Sequence, residues 1–138
     1  MALKLSNALA DFDLAEYVEL DCGSFDIKIK QAAIHNEEFR AAVAKKALSA
    51  KKKSLVPDAG TLTGNYEEDV ALFVENVLVG WGARPLKDDD GKEIPGTPEN
   101  FTELFTSTRQ GKILFGKIQT SAVDDELFAI KDEDLKNF

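Results

Sequence analysis

The chain has 138 residues, of which 43% are hydrophobic and 30% charged, a composition typical of a globular protein that excludes a disordered or fibrous class. Its 17 basic and 25 acidic side chains give a formal net charge of −8. Nucleic acid is therefore not expected as a partner, because phosphate binding depends on basic surfaces. The single cysteine, Cys22, excludes an intrachain disulfide and a multi-cysteine zinc site.

No apolar run approaches the length of a membrane span, and residues 1–20 are too acidic for a signal peptide. We therefore expect a soluble protein of the cytoplasm with no membrane partner. The sequence predicts one α+β domain over residues 1–138, mainly helical, with an N-terminal β-hairpin packed on about four helices. Its predicted parts are a hairpin and basic helix at 16–53, a loop at 54–64, a helical part at 65–120, and a tail at 121–138 that can dock on the domain or on a partner.

The first predicted element is a β-hairpin. Apolar and polar residues alternate over 18–20 and again over 25–30, which is the period of a strand with one buried face. Residues 21–24 form the turn between the strands, and Gly23 can take the positive φ that a tight loop needs. Because two strands alone are marginal in water, the hairpin should lay its apolar face on helices.

A basic helix follows the hairpin. Asn36 can cap it, and Glu37 and Glu38 occupy the first turn, where negative charge is favourable. Its basic side chains are Arg40, Lys45, Lys46, Lys51, Lys52 and Lys53. The block is either a solvated helix face or an electrostatic docking patch for a protein, in which Lys45 and Lys52 are the candidate contacts. No aromatic residue is interleaved there for base stacking, which again disfavours nucleic acid.

The strongest helical pattern starts at Asn65. Its first turn is acidic, and Glu68 stands where a capping box needs a carboxylate. Apolar residues then recur at helical spacing in one stripe, namely Tyr66, Val70, Phe73, Val74, Val77, Leu78 and Trp81. The stripe predicts one helix that continues to Trp81 and ends at the glycines on either side of it. This helix is expected to form the core.

Residues 83–97 are predicted to be a long polar connection with a turn at Asp90–Gly91. The acidic turn suggests a calcium loop, but Leu86 and Thr97 would then stand at the first and twelfth positions, where carboxylates are needed. A solvated turn is therefore the favoured interpretation. Thr97 and Pro98 are typical of a helix start, with a hydroxyl cap followed by proline at the first helical position.

The C-terminal third is less regular. A break near Gly111 is expected to lead to a segment at 113–118 that is ambiguous between helix and strand. Ser121 is expected to cap a last helix. The apolar residues here cover more than one helix face, namely Val123, Leu127, Phe128, Ile130, Leu135 and Phe138. We expect part of this surface to dock on the domain and part to await a partner.

No catalytic constellation can be recognised in the sequence. His35 is the single histidine, and neither Cys22 nor any serine stands in a nucleophile motif. The glycines do not have the spacing of a phosphate-binding loop. We therefore predict no catalytic residue, no metal site and no cofactor. A small hydrolase or a metal-dependent enzyme is the least favoured alternative.

Three segments of the second half together resemble tail assembly chaperones of tailed bacteriophages, of the siphophage type. They are Asn76-Val77-Leu78-Val79-Gly80-Trp81, Asp90-Gly91-Lys92-Glu93-Ile94-Pro95 and Thr97-Pro98-Glu99-Asn100. Proteins of that family often have a helix ending in Gly-Trp, a variable polar spacer, an Asp-Gly-Lys turn and a Ser/Thr-Pro-Glu-Asn helix start. The first half is similar in its hairpin and its Asn-Glu-x-Phe helix entry. The resemblance covers residues 16–105 and departs from the family pattern at Gly96, where a bulky residue is common.

The resemblance implies a protein that is not an enzyme and binds no cofactor. It implies action in the host cytoplasm and absence from the mature virion. The implied partners are the tape-measure protein, whose long hydrophobic helices it would keep soluble, and the tail-tube protein, whose subunits it would help to recruit. The alternative is a structural virion protein, such as a tail-completion or head–tail joining component, and self-association also stays open.

Under this hypothesis, apolar residues of the second half contact the partner and the basic helix gives orientation. The candidate partner-binding residues are Trp81, Phe101, Phe105, Leu127, Phe128 and Ile130, together with Lys45 and Lys52. A lone tryptophan is more often a core anchor than a ligand platform, so a structural role for Trp81 is the competing interpretation.

Overall fold

The computed structural model describes residues 7, 9, 14–33, 35–53 and 61–129, with the backbone alone for 47–53. The element order within these residues is β1 (Val18–Asp21), β2 (Asp26–Ile29), α1 (Glu37–Lys53), α2 (Tyr66–Asn76), β3 (Leu78–Trp81), α3 (Pro98–Thr106), α4 (Arg109–Ala122) and α5 (Asp125–Phe128). The predicted α+β, mainly helical class with an N-terminal hairpin is confirmed. Most of the predicted loop, 54–60, lies outside the described residues.

The three strands form one antiparallel sheet in the order β1-β2-β3, with β2 in the centre. Its covered face carries Leu20, Ile27 and Ile29, all of which are buried in the hydrophobic core. The hairpin turn lies at 22–25, one residue later than the predicted 21–24, and Gly23 within it has a φ of 102°. The alternation of apolar residues in β1 and β2 therefore places one face of the sheet on the helices, as expected.

The helix predicted to run from Asn65 to Trp81 is wrong beyond Asn76, because Leu78–Trp81 form β3 and pair with β2. The pairing shifts register within β3, and Gly80 at this irregularity has a φ of 156°, which other residues rarely adopt. Gly80 therefore lies at a strand irregularity and does not end a helix. Sheet pairing outweighs the helical periodicity here.

Side-chain caps fix the starts of the helices much as the sequence predicts. The Asn65 side chain accepts a hydrogen bond from the Glu68 backbone N–H at 3.1 Å at the start of α2. Thr97 does the same for the Asn100 backbone N–H at 3.2 Å, and Pro98 is the first residue of α3. These caps satisfy backbone donors that a helix start leaves unpaired.

The segment after α3 is a continuous helix, α4, so the ambiguity over 113–118 is resolved in favour of helix. The expected break near Gly111 is wrong, because Thr108 caps α4 and Gly111 lies in its first turn. The expected cap at Ser121 is also wrong. Ser121 lies inside α4, and Asp124 caps the short helix α5 instead.

Phenylalanines from α2, α3 and α4 pack against one another within the core. The ring centroid of Phe115 lies 5.3 Å from that of Phe73 and 5.3 Å from that of Phe105. Tyr66 adds a hydrogen bond from its hydroxyl to the Phe105 carbonyl oxygen at 2.6 Å. Tilted and edge-on aromatic pairs of this kind stabilise a core beyond the area that they bury.

The two ends of the described chain meet beside this core. The Ala15 backbone N–H donates to the Phe128 carbonyl oxygen at 2.7 Å, and Leu14 forms an isolated bridge with Ala129. Phe128 itself is fully buried, so α5 docks on the domain. Among the described residues, no helix is long and apolar enough to span a bilayer.

Candidate interaction surface

The three segments that carry the family resemblance meet in space around one indole. The Trp81 Nε1–H donates to the Ile94 carbonyl oxygen at 2.8 Å. The Asn100 side-chain amide donates to the Pro95 carbonyl oxygen at 2.8 Å. A Cβ atom at Gly96 would lie 3.2 Å from the indole, so the absence of a side chain lets this part of the connection cover the ring. The segments therefore form one structural unit, and much of their pattern is explained by folding.

The connection 83–97 folds back on itself at the predicted turn. The Asp88 side chain accepts hydrogen bonds from the backbone N–H groups of Asp90 and Lys92, both at 2.9 Å. The backbone N–H of Ile94 donates to the Leu86 carbonyl oxygen at 2.9 Å. The Asp88 carboxylate thus closes the turn. No group of three or more His, Cys, Asp or Glu side chains within the described ranges is placed to hold a metal ion.

Arg84 anchors the start of this connection to the β-hairpin. Its guanidinium contacts both carboxylate oxygens of Asp26, at 2.6 and 2.9 Å, one oxygen of Asp21 at 2.9 Å, and the Gly23 carbonyl oxygen at 2.8 Å. The hydrogen bonds from Arg84 lower the pKa of Asp26. The pKa of Asp21 is also lowered. The main cause is the hydrogen bond from the Gly23 backbone N–H, and the hydrogen bond from Arg84 is the second. The position of the connection is therefore fixed by charge-assisted hydrogen bonds.

A groove of about 420 Å³ lies between the folded-back connection and α3, and we call it the α3 groove. Its lining residues are Leu86, Asp88, Lys92, Glu93, Ile94, Pro95, Asn100, Glu103, Leu104 and Ser107. The apolar part of the lining comes from leucine, isoleucine and proline. Three carboxylates and one lysine surround it, so the groove is both apolar and net acidic. Such a lining suits an apolar ridge flanked by basic side chains.

The structure places three of the predicted partner-binding residues in the core. Phe101, Phe105 and Phe128 are only 3%, 0% and 0% exposed, so they cannot form an accessible binding surface in the folded protein. This corrects the prediction at these positions. The physical reason is that all three side chains belong to the hydrophobic core, and a sequence pattern does not distinguish a core face from a docking face.

The remaining predicted residues are scattered. Trp81 is half-buried, and its ring centroid lies 4.5 Å from that of Phe101. This position agrees with the competing interpretation of Trp81 as a core anchor. Leu127 is 40% exposed on α5, and Lys45 is exposed on α1. Ile130 and the side chain of Lys52 lie outside the described part of the chain. The predicted residues therefore do not assemble into one site.

Sequence reasoning did not identify the apolar residues of the α3 groove as contacts, and it did not single out Ile113. Ile113 is 64% exposed on α4, and Val123, one of the apolar residues of the C-terminal third expected to dock or to await a partner, is 60% exposed just after the helix. Recognition of the helical period of Phe115 and Ile118 would have identified Ile113, because it falls on the opposite side of the helix. Groove residues such as Leu86 carry no comparable signal, since their grouping depends on the turn.

A second cavity of about 450 Å³ lies beside the start of α1. His35 lines it, with Nε2 2.7 Å from Oε1 of Gln31. The Gln31 amide donates in turn to Asp125 at 2.5 Å. Among the described residues that line this cavity, none carries a hydroxyl or thiol group. The chain of hydrogen bonds links the turn before α1 to α5.

Cys22 lies half-buried in the hairpin turn. Its thiol is 3.6 Å from the Leu20 carbonyl oxygen. Burial raises the pKa of Cys22, so the thiol form is favoured over the reactive thiolate.

No family model matches this sequence, and no curated protein or solved structure gives a significant match to it.

Proposed function

We propose that this chain is a tail assembly chaperone of a tailed bacteriophage. In this proposal it binds the tape-measure protein, helps to recruit tail-tube subunits, and acts in the host cytoplasm without entering the mature virion. It catalyses no reaction and uses no cofactor, nucleic acid or membrane. Its mechanism is reversible masking of apolar helical stripes on an assembly intermediate, which lowers the concentration of aggregating species.

The observation that carries the proposal is the convergence of the three similar segments. The Trp81 indole donates to Ile94 of the second segment, and the Asn100 amide of the third segment donates to Pro95 of the second, each at 2.8 Å. The second and third segments are neighbours in sequence, but a chance likeness would not require the segment that ends at Trp81 to lie against them. Because the three segments pack together, the residues that resemble the chaperone family are also residues that determine the fold. The proposed function rests on this resemblance.

We propose the α3 groove as the surface that receives the partner. Its apolar floor includes Leu104 and Ile94, and its acidic rim includes Glu103 and Glu93. An amphipathic helix that presents an apolar ridge between lysine or arginine side chains would bury the ridge and pair the charges. The net charge of −8 keeps the complex soluble through repulsion between like-charged particles.

The direct test is co-expression of this chain with the tape-measure protein encoded by the same phage. The soluble fraction of the tape-measure protein should rise when the chain is present. Glu103→Lys reverses a charge at the groove and should reduce that rise. Glu75→Lys is the matched control, because Glu75 is exposed on α2 and does not line the groove. Unchanged solubility with the wild-type chain would contradict the proposed function.

Mass spectrometry of purified phage particles separates the proposal from a structural virion protein. A chaperone should be absent from the particles, or present only in traces. A fixed stoichiometric amount would support a tail-completion or head–tail joining component instead. Particle composition is independent of the groove variants, so it tests the function without assuming the binding surface.

A further inference from the structure

The outer face of α4 presents two exposed apolar side chains that nothing in the described chain covers, Ile113 and, just after the helix, Val123. Lys117 shares this face, and its Nζ donates to the Asp21 carbonyl oxygen at 2.8 Å. Ile113 and Val123 are 64% and 60% exposed, and Gly116 and Thr120 lie between them on the same side of the helix. The Thr120 hydroxyl donates to the Gly116 carbonyl oxygen at 3.0 Å, and Thr120 is exposed. The buried residues of α4, such as Phe115, lie on the opposite face.

Gly116 is the feature of this face that the fold of one chain does not explain. A glycine inside a helix costs about 1 kcal/mol relative to alanine. Gly111, in the same helix, is explained by its contact with α3, because a Cβ atom there would overlap the Leu104 carbonyl. A Cβ atom at Gly116 would meet nothing within 4 Å. The missing side chain leaves the helix backbone open to close approach by another molecule at this exposed position.

The charges at the two ends of the face are opposite. Arg109 and Lys112 are exposed at the N-terminal end of α4, whereas Asp124 and Glu126 are exposed just beyond its C-terminal end. An antiparallel copy of the same face would place basic ends against acidic ends at both extremities. Such self-complementarity is what a two-fold symmetric interface requires.

We propose that the outer face of α4 binds the same face of a second copy of this chain, with the two helices antiparallel. The contact places Ile113 opposite Val123 of the second copy, Gly116 opposite Thr120, and Arg109 near Glu126. Gly116 lets the two backbones approach closely at the crossing. One face of a 14-residue helix is a small interface, so the dimer is weak and concentration-dependent. This inference does not depend on the proposed chaperone function.

Sedimentation velocity of the full chain over a range of concentrations tests the proposal. The wild-type chain should dimerise reversibly, and Gly116→Leu and Ile113→Lys should each weaken the dimer about tenfold or more. Both positions point into solvent in the single chain, so folding should survive, which circular dichroism checks. Ala44→Leu is the matched control, because it adds a leucine at an exposed position of α1.

Charge exchange tests the antiparallel arrangement itself. Arg109→Glu and Glu126→Arg should each weaken the dimer, and the double variant should restore it. A chain that stays monomeric at the highest soluble concentration would overturn the proposal. So would a dimer that is unaffected by the Gly116 and Ile113 variants, or a double charge variant no tighter than the single ones.

Discussion

Gly111 and the main-chain carbonyl of Leu104 approach so closely that a methyl group on the glycine would overlap the carbonyl oxygen. Gly111 lies in the first turn of α4, and Leu104 lies near the end of α3. The chain between the two helices, 107–108, is only two residues long. The bare glycine therefore lets two helices joined by a tight connection pack directly on each other.

We predict that Gly111→Ala and Gly116→Ala have opposite effects on stability. Gly111→Ala forces α3 and α4 apart and should destabilise the protein by about 1–3 kcal/mol. Gly116→Ala meets open space and improves helix propensity, so it should stabilise the monomer by up to about 1 kcal/mol. Urea unfolding at low protein concentration measures both values without a contribution from association. Equal effects of the two substitutions would contradict this account of α4.

The helix starts could be predicted from the sequence because they depend on local chemistry. Asn65, Thr97 and Asn36 each cap a helix through a side-chain oxygen that accepts from the backbone N–H three residues later. The hairpin was predictable for the same reason, since its period and its turn lie within a dozen residues. Interactions of this kind need no knowledge of the rest of the chain.

The third strand could not be predicted in this way. Leu78 and Trp81 continue the helical spacing of α2, so periodicity alone extends the helix. The helix instead ends at Asn76, whose carbonyl oxygen accepts a hydrogen bond from the Asn36 side chain at 3.1 Å. The segment that follows pairs with β2, which lies some 50 residues earlier in the chain. Partners at that separation are invisible to a local pattern.

Local sequence patterns are equally limited in predicting the candidate site. The segments that carry the resemblance also supply most of the lining of the α3 groove, which 86–95 and α3 form. The choice of Phe101 and Phe105 as contacts was nevertheless wrong, since the largest apolar side chains are the ones that the core takes. The residues beside them that line the groove, exposed Glu103 and partly buried Leu104, become identifiable only when the turn at 88–91 is seen to fold back.

Asp69 anchors the segment before α2, and we predict that its loss is strongly destabilising. It is only 1% exposed, and its carboxylate accepts hydrogen bonds from the Leu62 N–H at 2.7 Å, the Thr63 N–H at 2.8 Å and the Thr63 hydroxyl at 2.6 Å. Asp69→Ala leaves these donors without their acceptor and should cost at least about 2 kcal/mol in urea unfolding. Hydrogen exchange at Leu62 and Thr63 should also accelerate.

The control for this substitution is Glu75→Ala, at an exposed position of the same helix. It removes a carboxylate with no buried donors and should change stability by no more than about 0.5 kcal/mol. If the two variants were equally stable, the buried carboxylate would not be the anchor of this segment.

The Arg84 cluster predicts a pH dependence of stability. The pKa of Asp26 is lowered by its hydrogen bonds to Arg84, so the folded protein holds this carboxylate ionised at pH values where the unfolded chain begins to take up a proton. The stabilising contribution is therefore complete well above the ordinary carboxyl pKa of 3.8 and is lost as the pH falls through the lower folded value.

Comparison of wild type with Asp26→Asn isolates this effect. The wild type should be the more stable at pH 7, and its advantage should shrink as the pH falls below 3.8. Arg84→Lys should reproduce part of the loss at pH 7, because lysine cannot contact both carboxylate oxygens as a fork. A difference between wild type and Asp26→Asn that stays constant with pH would contradict the role assigned to this ion pair.

Trp81 provides a direct readout of the unit that unites the three similar segments. Asn100→Ala removes the hydrogen bond to the Pro95 carbonyl oxygen, and Trp81→Phe removes the one to Ile94. Each single variant should lose about 0.5–1.5 kcal/mol. Because both bonds hold the same short stretch against the indole, their effects should not be additive, and a double-mutant cycle should give a coupling of about 0.5 kcal/mol or more.

Fluorescence supplies the independent measurement, since Trp81 is the only tryptophan of the chain. In Asn100→Ala the stretch around Gly96 should lift from the ring, so the emission should shift to longer wavelength and quenching by iodide should increase. Thr102→Ala is the matched control, because its hydroxyl donates only to the Pro98 carbonyl oxygen within α3. An emission spectrum in Asn100→Ala identical to that of the wild type would mean that the connection covers the indole without help from Asn100, and the three segments would then be neighbours rather than one cooperative unit.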